Sequence, residues 1–215
     1  MNRVRTKICG IRSLEEGITA VEAGADALGF NLWPRSPRYV SPEAAREIVA
    51  EVSPFVTCVG VFVNEDADRV EKLALNLGLG AVQLHGDESP EFCASVGSVK
   101  IIKAIRVGTG FDPSMLKNYR VNAILLDTRL EGSYGGTGRK FDWRFAVESR
   151  EYASIILSGG INEGNVAEAI EQVRPAAIDV CSGVEAEPGR KDLDKLRSFM
   201  AAVHRANGSF SEWLL

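Results

Sequence analysis

Histidine is nearly absent from this chain, with two in 215 residues, and neither stands at a metal-ligand spacing from the four cysteines Cys9, Cys58, Cys93 and Cys181. The thiols are single and scattered, with no CxxC pair, which speaks against a zinc site and fits a reducing compartment. Long apolar runs are missing too. No stretch approaches the roughly 18 residues of a membrane span, and residues 1–30 have no uninterrupted apolar core of the signal-peptide kind. Nor is there a surplus of positive charge: 29 acidic residues face 25 basic ones, giving a net charge of −4 with both signs scattered. That leaves no electrostatic footprint for nucleic acid. The expectation is a cytoplasmic protein with neither membrane nor nucleic-acid partners and no bound metal.

What is present suffices for one substantial core, 45% of the residues being hydrophobic in a length that one domain can hold. Short β-branched runs alternate with segments of helical period from end to end. Strands are predicted near 3–9, 26–32, 55–63, 81–85, 99–106, 122–127, 153–158 and 176–181. Helices are predicted over 13–24, 41–52, 65–78, 89–97, 112–119, 162–173 and 192–204, with a weaker segment near 141–149. Several open on Ser, Asp or Asn followed by Pro or an acidic first turn. Strand then helix, eight times over, implies parallel strands joined by right-handed crossovers. An open doubly wound sheet usually stops at five or six strands, so the prediction is a single-domain (β/α)8 TIM barrel over 1–205, with a C-terminal tail over 206–215.

Such barrels work at the carboxyl ends of their strands, and here those ends are all polar or ionisable: Cys9, Asn31, Asn64, His85, Arg106, Asp127, Ser158, and the pair Asp179 and Cys181. Two glycine-rich loops, "SGGIN" (158–162) and "CSGVE" (181–185), follow the seventh and eighth strands, where many barrels grip a phosphate with backbone N–H groups. Single Gly-Gly pairs also make ordinary turns, but two in these two places point to a phosphorylated ligand. A third loop, "GGTG" (135–138), is followed by Arg-Lys and lacks the residue order of a nucleoside triphosphate loop.

Cys9 and Asp127 have proton-transfer potential. A thiol needs a neighbouring cation or dipole to act as a base near neutrality, and Lys7 projects on the same face. A carboxyl group acts as an acid where burial or negative charge favours its protonated form. Taken singly, a strand-end Asp also serves as a helix cap, and a lone Cys as packing. The loop "WPRSPRYVSP" is stiff and basic, suited to a flat anionic group or, more plainly, to pairing with surface acids. His85 reads as structural support, and Arg106 as a reserve anion contact.

Together "KICG" (7–10), "SPRYVSP" (36–42), "VGVFVN" (59–64), "VQLHG" (82–86), "LLDT" (125–128), "GGTGRKFDW" (135–143), "LSGGIN" (157–162) and "IDVCSGVE" (178–185) resemble the phosphoribosylanthranilate isomerases. The resemblance implies an Amadori rearrangement in tryptophan biosynthesis that needs no cofactor. Asp127 would be the general acid, Cys9 the general base, and Arg38 the clamp on the anthranilate carboxylate. Gly159, Gly160, Ser182 and Gly183 would hold the phosphate, and Asp179 would assist positioning or ring opening. Cys181 stands where that family usually has serine. The histidine-pathway isomerase is expected to carry an aspartate at Cys9's place, and a pentose-phosphate epimerase would carry metal-binding residues. A barrel that binds a phosphorylated metabolite without turnover is the non-enzymatic alternative. A monomer or a homodimer is expected.

Overall fold

The computed structural model describes residues 3–52, 54–97, 99–108, 110–128 and 141–209. Eight parallel strands, β1 (Arg5–Cys9), β2 (Ala27–Asn31), β3 (Thr57–Phe62), β4 (Ala81–Leu84), β5 (Lys100–Val107), β6 (Ala123–Thr128), β7 (Ile155–Leu157) and β8 (Ala177–Val180), each pair with the next, and β8 closes on β1. The predicted barrel is therefore observed. The "GGTG" loop at 135–138 lies outside the described residues, as does the tail beyond Ser209.

Around the strands pack α1 (Leu14–Glu22), α2 (Pro42–Glu51), α3 (Ala67–Leu77), α4 (Pro90–Ser95), α5 (Arg144–Ser149), α6 (Val166–Val173) and α7 (Leu193–Ser209). The starts of α1 to α4 follow directly from the sequence. Ser13, Ser41, Asp66 and Ser89 each accept a backbone N–H in the first turn, and Pro42 and Pro90 occupy an early position where no N–H is required. Two predictions shift. The helix expected over 112–119 is a 3₁₀ helix, Pro113–Asn118, a short piece in which i→i+3 bonding suffices. Residues 206–209, predicted to be tail, continue α7. Within it Asn207 accepts from the Val4 N–H at 2.9 Å and donates to the Val4 carbonyl at 3.0 Å.

Strand alternation divides the interior in two. Ile8, Leu28, Phe30, Val82, Leu84, Ile124, Leu126, Ile178 and Val180 join the helix residues Ile48, Val70, Ile170 and Phe199 in one large core. The opposite parity faces the barrel axis, where Ala104, Leu125 and Ile156 form a small apolar plug. Above that plug the inward positions turn polar.

One buried cluster ties the loops together outside the axis. The Lys103 ammonium donates to the Leu84 carbonyl at 3.2 Å, the Gly86 carbonyl at 2.9 Å and Glu88 Oε2 at 2.6 Å. Glu88 in turn accepts the N–H groups of Asn64 and Gly86. The loops after β3 and β4 are thus clasped to β5.

Candidate active site

β1 and β8 are in register, with Lys7 opposite Asp179 and Ile8 opposite Val180, so Cys9 lies beside Cys181 at the mouth. Lys7 Nζ donates to Asp179 Oδ1 at 2.6 Å, and Ser158 Oγ reaches Asp179 Oδ2 at 3.2 Å. Asp127, one strand further round on β6, is buried, and its Oδ1 accepts the Thr128 N–H at 2.8 Å. A polar belt therefore runs from Cys9 through Lys7, Asp179 and Ser158 toward Asp127. Both Cys9 and Lys7 point across Gly29 on β2: a Cβ placed there would lie 2.9 Å from Cys9 Sγ and 3.0 Å from Lys7 Nζ. Any larger residue would press on both groups.

The electrostatics of the pair at β1 are unequal. A hydrogen bond with the Cys181 thiol is the largest influence on Cys9; burial works against ionisation, and the Lys7 ammonium favours it, leaving Cys9 well below the ordinary thiol pKa. Cys181 is pushed the other way, by its bond with Cys9 and by burial. Burial also works against the charge of Lys7, yet Asp179, and then Cys9, outweigh it and hold Lys7 above its ordinary pKa. Ionisation at this seam is therefore favoured at Cys9 and disfavoured at Cys181.

Arg38 arrives from the loop after β2. A parallel bridge from Asn31 to Tyr39 folds that loop back on itself, and the Arg38 stem lands where a Cβ on Gly10 would be 3.2 Å from it and 3.2 Å from Cys181 Sγ. Arg38 Nε and Nη2 donate to Glu185 Oε1 and Oε2 at 2.8 and 2.7 Å, a fork-on-fork contact. Lys191 Nζ adds a bond to Glu185 Oε1 at 3.2 Å. Glu185 opens a short hairpin, β9 (Glu185–Glu187) with β10 (Arg190–Lys191), turned by Pro188 and Gly189. Sequence reasoning assigned no role to Glu185 or Lys191. The Pro-Gly turn was the available signal for the hairpin, but nothing local announces a partner 147 positions away.

His85, read from the sequence as structural support, stands between Gln83 and Asp127. Gln83 Nε2 lies 2.7 Å from His85 Nδ1, and the other ring nitrogen, Nε2, is 3.4 Å from Asp127 Oδ2. Arg106, held in reserve as an anion contact, pairs instead with Asp87 at the rim. Of the loops after β7 and β8, the first carries Gly159 and Gly160 and the second a 3₁₀ turn, Ser182–Val184. The two touch so closely that a Cβ on Gly183 would lie 2.1 Å from the Ile161 carbonyl. Only glycine allows that approach, and it brings the N–H-bearing backbones of both loops together.

Polar chemistry confined to one end of a closed eight-stranded barrel is the arrangement of the (β/α)8 enzymes, and this chain is one of them. Residues 6–202 match the family described as "N-(5'phosphoribosyl)anthranilate (PRA) isomerase". An N-(5'-phosphoribosyl)anthranilate isomerase of Geobacter sp. (strain M21) is 49% identical over 201 residues, covering 94% of this chain and 98% of that protein. The crystal structure of phosphoribosyl anthranilate isomerase from Thermotoga maritima superposes with a TM-score of 0.87 at 46% identity, covering 94% and 99% of the two chains. A further isomerase structure, in complex with reduced 1-(o-carboxyphenylamino)-1-deoxyribulose 5-phosphate, gives 0.84 at 45% identity with the same coverage. The chain belongs to the N-(5'-phosphoribosyl)anthranilate isomerase family. Its activity is the conversion of N-(5'-phosphoribosyl)anthranilate to 1-(2-carboxyphenylamino)-1-deoxyribulose 5-phosphate in tryptophan biosynthesis.

Proposed function

We propose that this isomerisation runs by proton transfer between Asp127 and Cys9. Asp127 protonates the ring oxygen, the furanose opens to an iminium, and the Cys9 thiolate removes the proton from carbon 2 of the sugar. The enolamine so formed becomes the ketone. The iminium makes that carbon acid strong enough for a modest base, and positioned proton transfer supplies about 10² to 10⁴ in rate. The observation that carries the reading is the placing of Cys9 beside Lys7 and Cys181 at the barrel mouth, which favours its thiolate. Asp179 keeps the Lys7 ammonium next to that sulfur. His85, with Nε2 3.4 Å from Asp127 Oδ2, is the side chain placed to orient that carboxyl group.

A base must be deprotonated to work, so a lowered thiol pKa extends activity to lower pH. The acid limb of kcat/KM, followed by the loss of substrate fluorescence, is expected below the ordinary thiol range. In Cys181→Ala the limb should move upward toward that range, because the largest influence on Cys9 is gone. A limb that stays in place belongs to another group and removes Cys9 as its source.

The phosphate falls to the backbones of Gly159, Gly160, Ser182 and Gly183, consistent with the phosphorylated molecule bound by the related isomerase. Arg38 is assigned to the anthranilate carboxylate, with Glu185 as the positioning residue that holds its fork. Glu185→Gln keeps the shape but removes the charge that orients Arg38. The expected result is a rise in KM of about tenfold, the worth of one charge-assisted hydrogen bond, with kcat within about threefold. An equal fall in kcat and kcat/KM would instead place Glu185 in the chemical step.

A further inference from the structure

Two thiols meet where the barrel closes. Cys9 and Cys181 follow the in-register pair Ile8 and Val180 on adjacent parallel strands, which sets the two thiols side by side, each the largest influence on the other's ionisation. Neighbouring strands lie about 4.8 Å apart, inside the range of Cα separations that a disulfide spans. Both side chains are only half-buried, whereas Cys58 and Cys93 are packed in the core. Cys181 Sγ donates to Glu185 Oε1 at 3.6 Å, and Lys191 Nζ lies 3.8 Å from the same sulfur.

We propose that Cys9 and Cys181 form a site of reversible oxidative modification, closing to an intramolecular disulfide under a hydroperoxide and reopening with a dithiol. The Cys9 thiolate attacks a peroxide oxygen: an S–O bond forms, the O–O bond breaks, and with hydrogen peroxide the departing hydroxide takes up a proton to become water. The Cys181 sulfur then attacks the Cys9 sulfenic sulfur as its S–H bond breaks; an S–S bond forms, the S–O bond breaks, and the hydroxyl leaves with that proton as a second water. Two thiols lose two electrons and one peroxide is reduced. The lowered pKa of Cys9 suits it to attack first, and once Cys9 is a neutral sulfenic acid the charge beside Cys181 that opposes its ionisation is gone. Bond formation does not require Cys9 to be the catalytic base. Loss of activity on oxidation rests in addition on Cys9 being the base.

The test treats the full-length protein with hydrogen peroxide, alkylates the remaining thiols, and maps unreduced tryptic peptides by mass spectrometry. The expected product joins residues 8–12 to residues 151–190, two hydrogens lighter than the separate peptides. Activity should fall in proportion to the joined fraction and return with dithiothreitol. In Cys181→Ser, normalised to its own starting activity, the sulfenic acid has no resolving thiol, so oxidation proceeds to sulfinic acid and dithiothreitol restores little. Finding Cys9 as sulfinic acid in the parent protein with Cys181 alkylated overturns the proposal, as does equal recovery of Cys181→Ser. A joined peptide with activity intact would keep the site and remove Cys9 as the base.

Discussion

Cys9→Ala and Asp127→Asn each lower kcat/KM by about 10² to 10⁴, the usual contribution of one positioned acid or base, which corresponds to about 3 to 5 kcal/mol of barrier. The effect should fall on kcat, because neither side chain is assigned to hold the phosphate or the carboxylate. Asn can still accept the Thr128 N–H that Asp127 Oδ1 now accepts at 2.8 Å, so the local fold survives while the transferable proton is lost. Cys9→Ser is the sharper control. A hydroxyl fills nearly the same space but ionises far less readily than a thiol, so serine should be about as inactive as alanine. Stopped-flow or steady-state fluorescence measures this directly. Near-normal turnover by Cys9→Ser would show that the position needs bulk rather than basicity.

The largest stability effect is expected at Lys103→Met. Lys103 and Glu88 are each about 2% exposed at the side chain and 2.6 Å apart, and no solvent is available to take over when one is removed. Breaking a buried pair from one side costs about 3–5 kcal/mol, because the remaining charge is stranded. For a domain of this size that corresponds to a fall in Tm of roughly 6–20 °C. The carbonyls of Leu84 and Gly86 lose their donor at the same time. Adding Glu88→Gln should recover part of the loss by removing the stranded charge. Calorimetry on the single and double variants checks both statements, and a single variant within 1 °C of the parent would show that water or neighbouring groups reach Glu88.

Much of this architecture is legible in the order of residues because the two signals it rests on are local. Alternation at period two and caps such as Ser41 with Pro42 need no tertiary knowledge, and they suffice for eight strands and most of the helices. The ring of inward-facing groups was legible too: the polar strand ends Cys9, His85, Asp127, Ser158 and Cys181 share one parity, and a barrel has only one axis to face. What was not legible depends on distance in space. The fork of Arg38 on Glu185 joins a loop after β2 to a hairpin after β8. That hairpin is too short for any period to show. The segment at 113–118 carried a helical cap and a proline, but too few residues to choose between 3₁₀ and α bonding. His85 was visible at its strand end. Its bearing on Asp127 required the curvature of the barrel, which brings β4 and β6 to a common mouth.

The clasp of Asn207 on Val4 has a consequence for synthesis. β1 obtains one edge partner from β2 early, but its other edge waits for β8, and the start of the strand waits for a residue 203 positions later. A chain emerging from the ribosome therefore carries an open, hydrogen-bond-hungry strand edge until nearly all of it has been translated. Contacts of such long sequence separation fold slowly and leave partly made sheets prone to association. Ribosome stalling or truncation ahead of α7 should accordingly yield aggregates rather than a smaller working barrel.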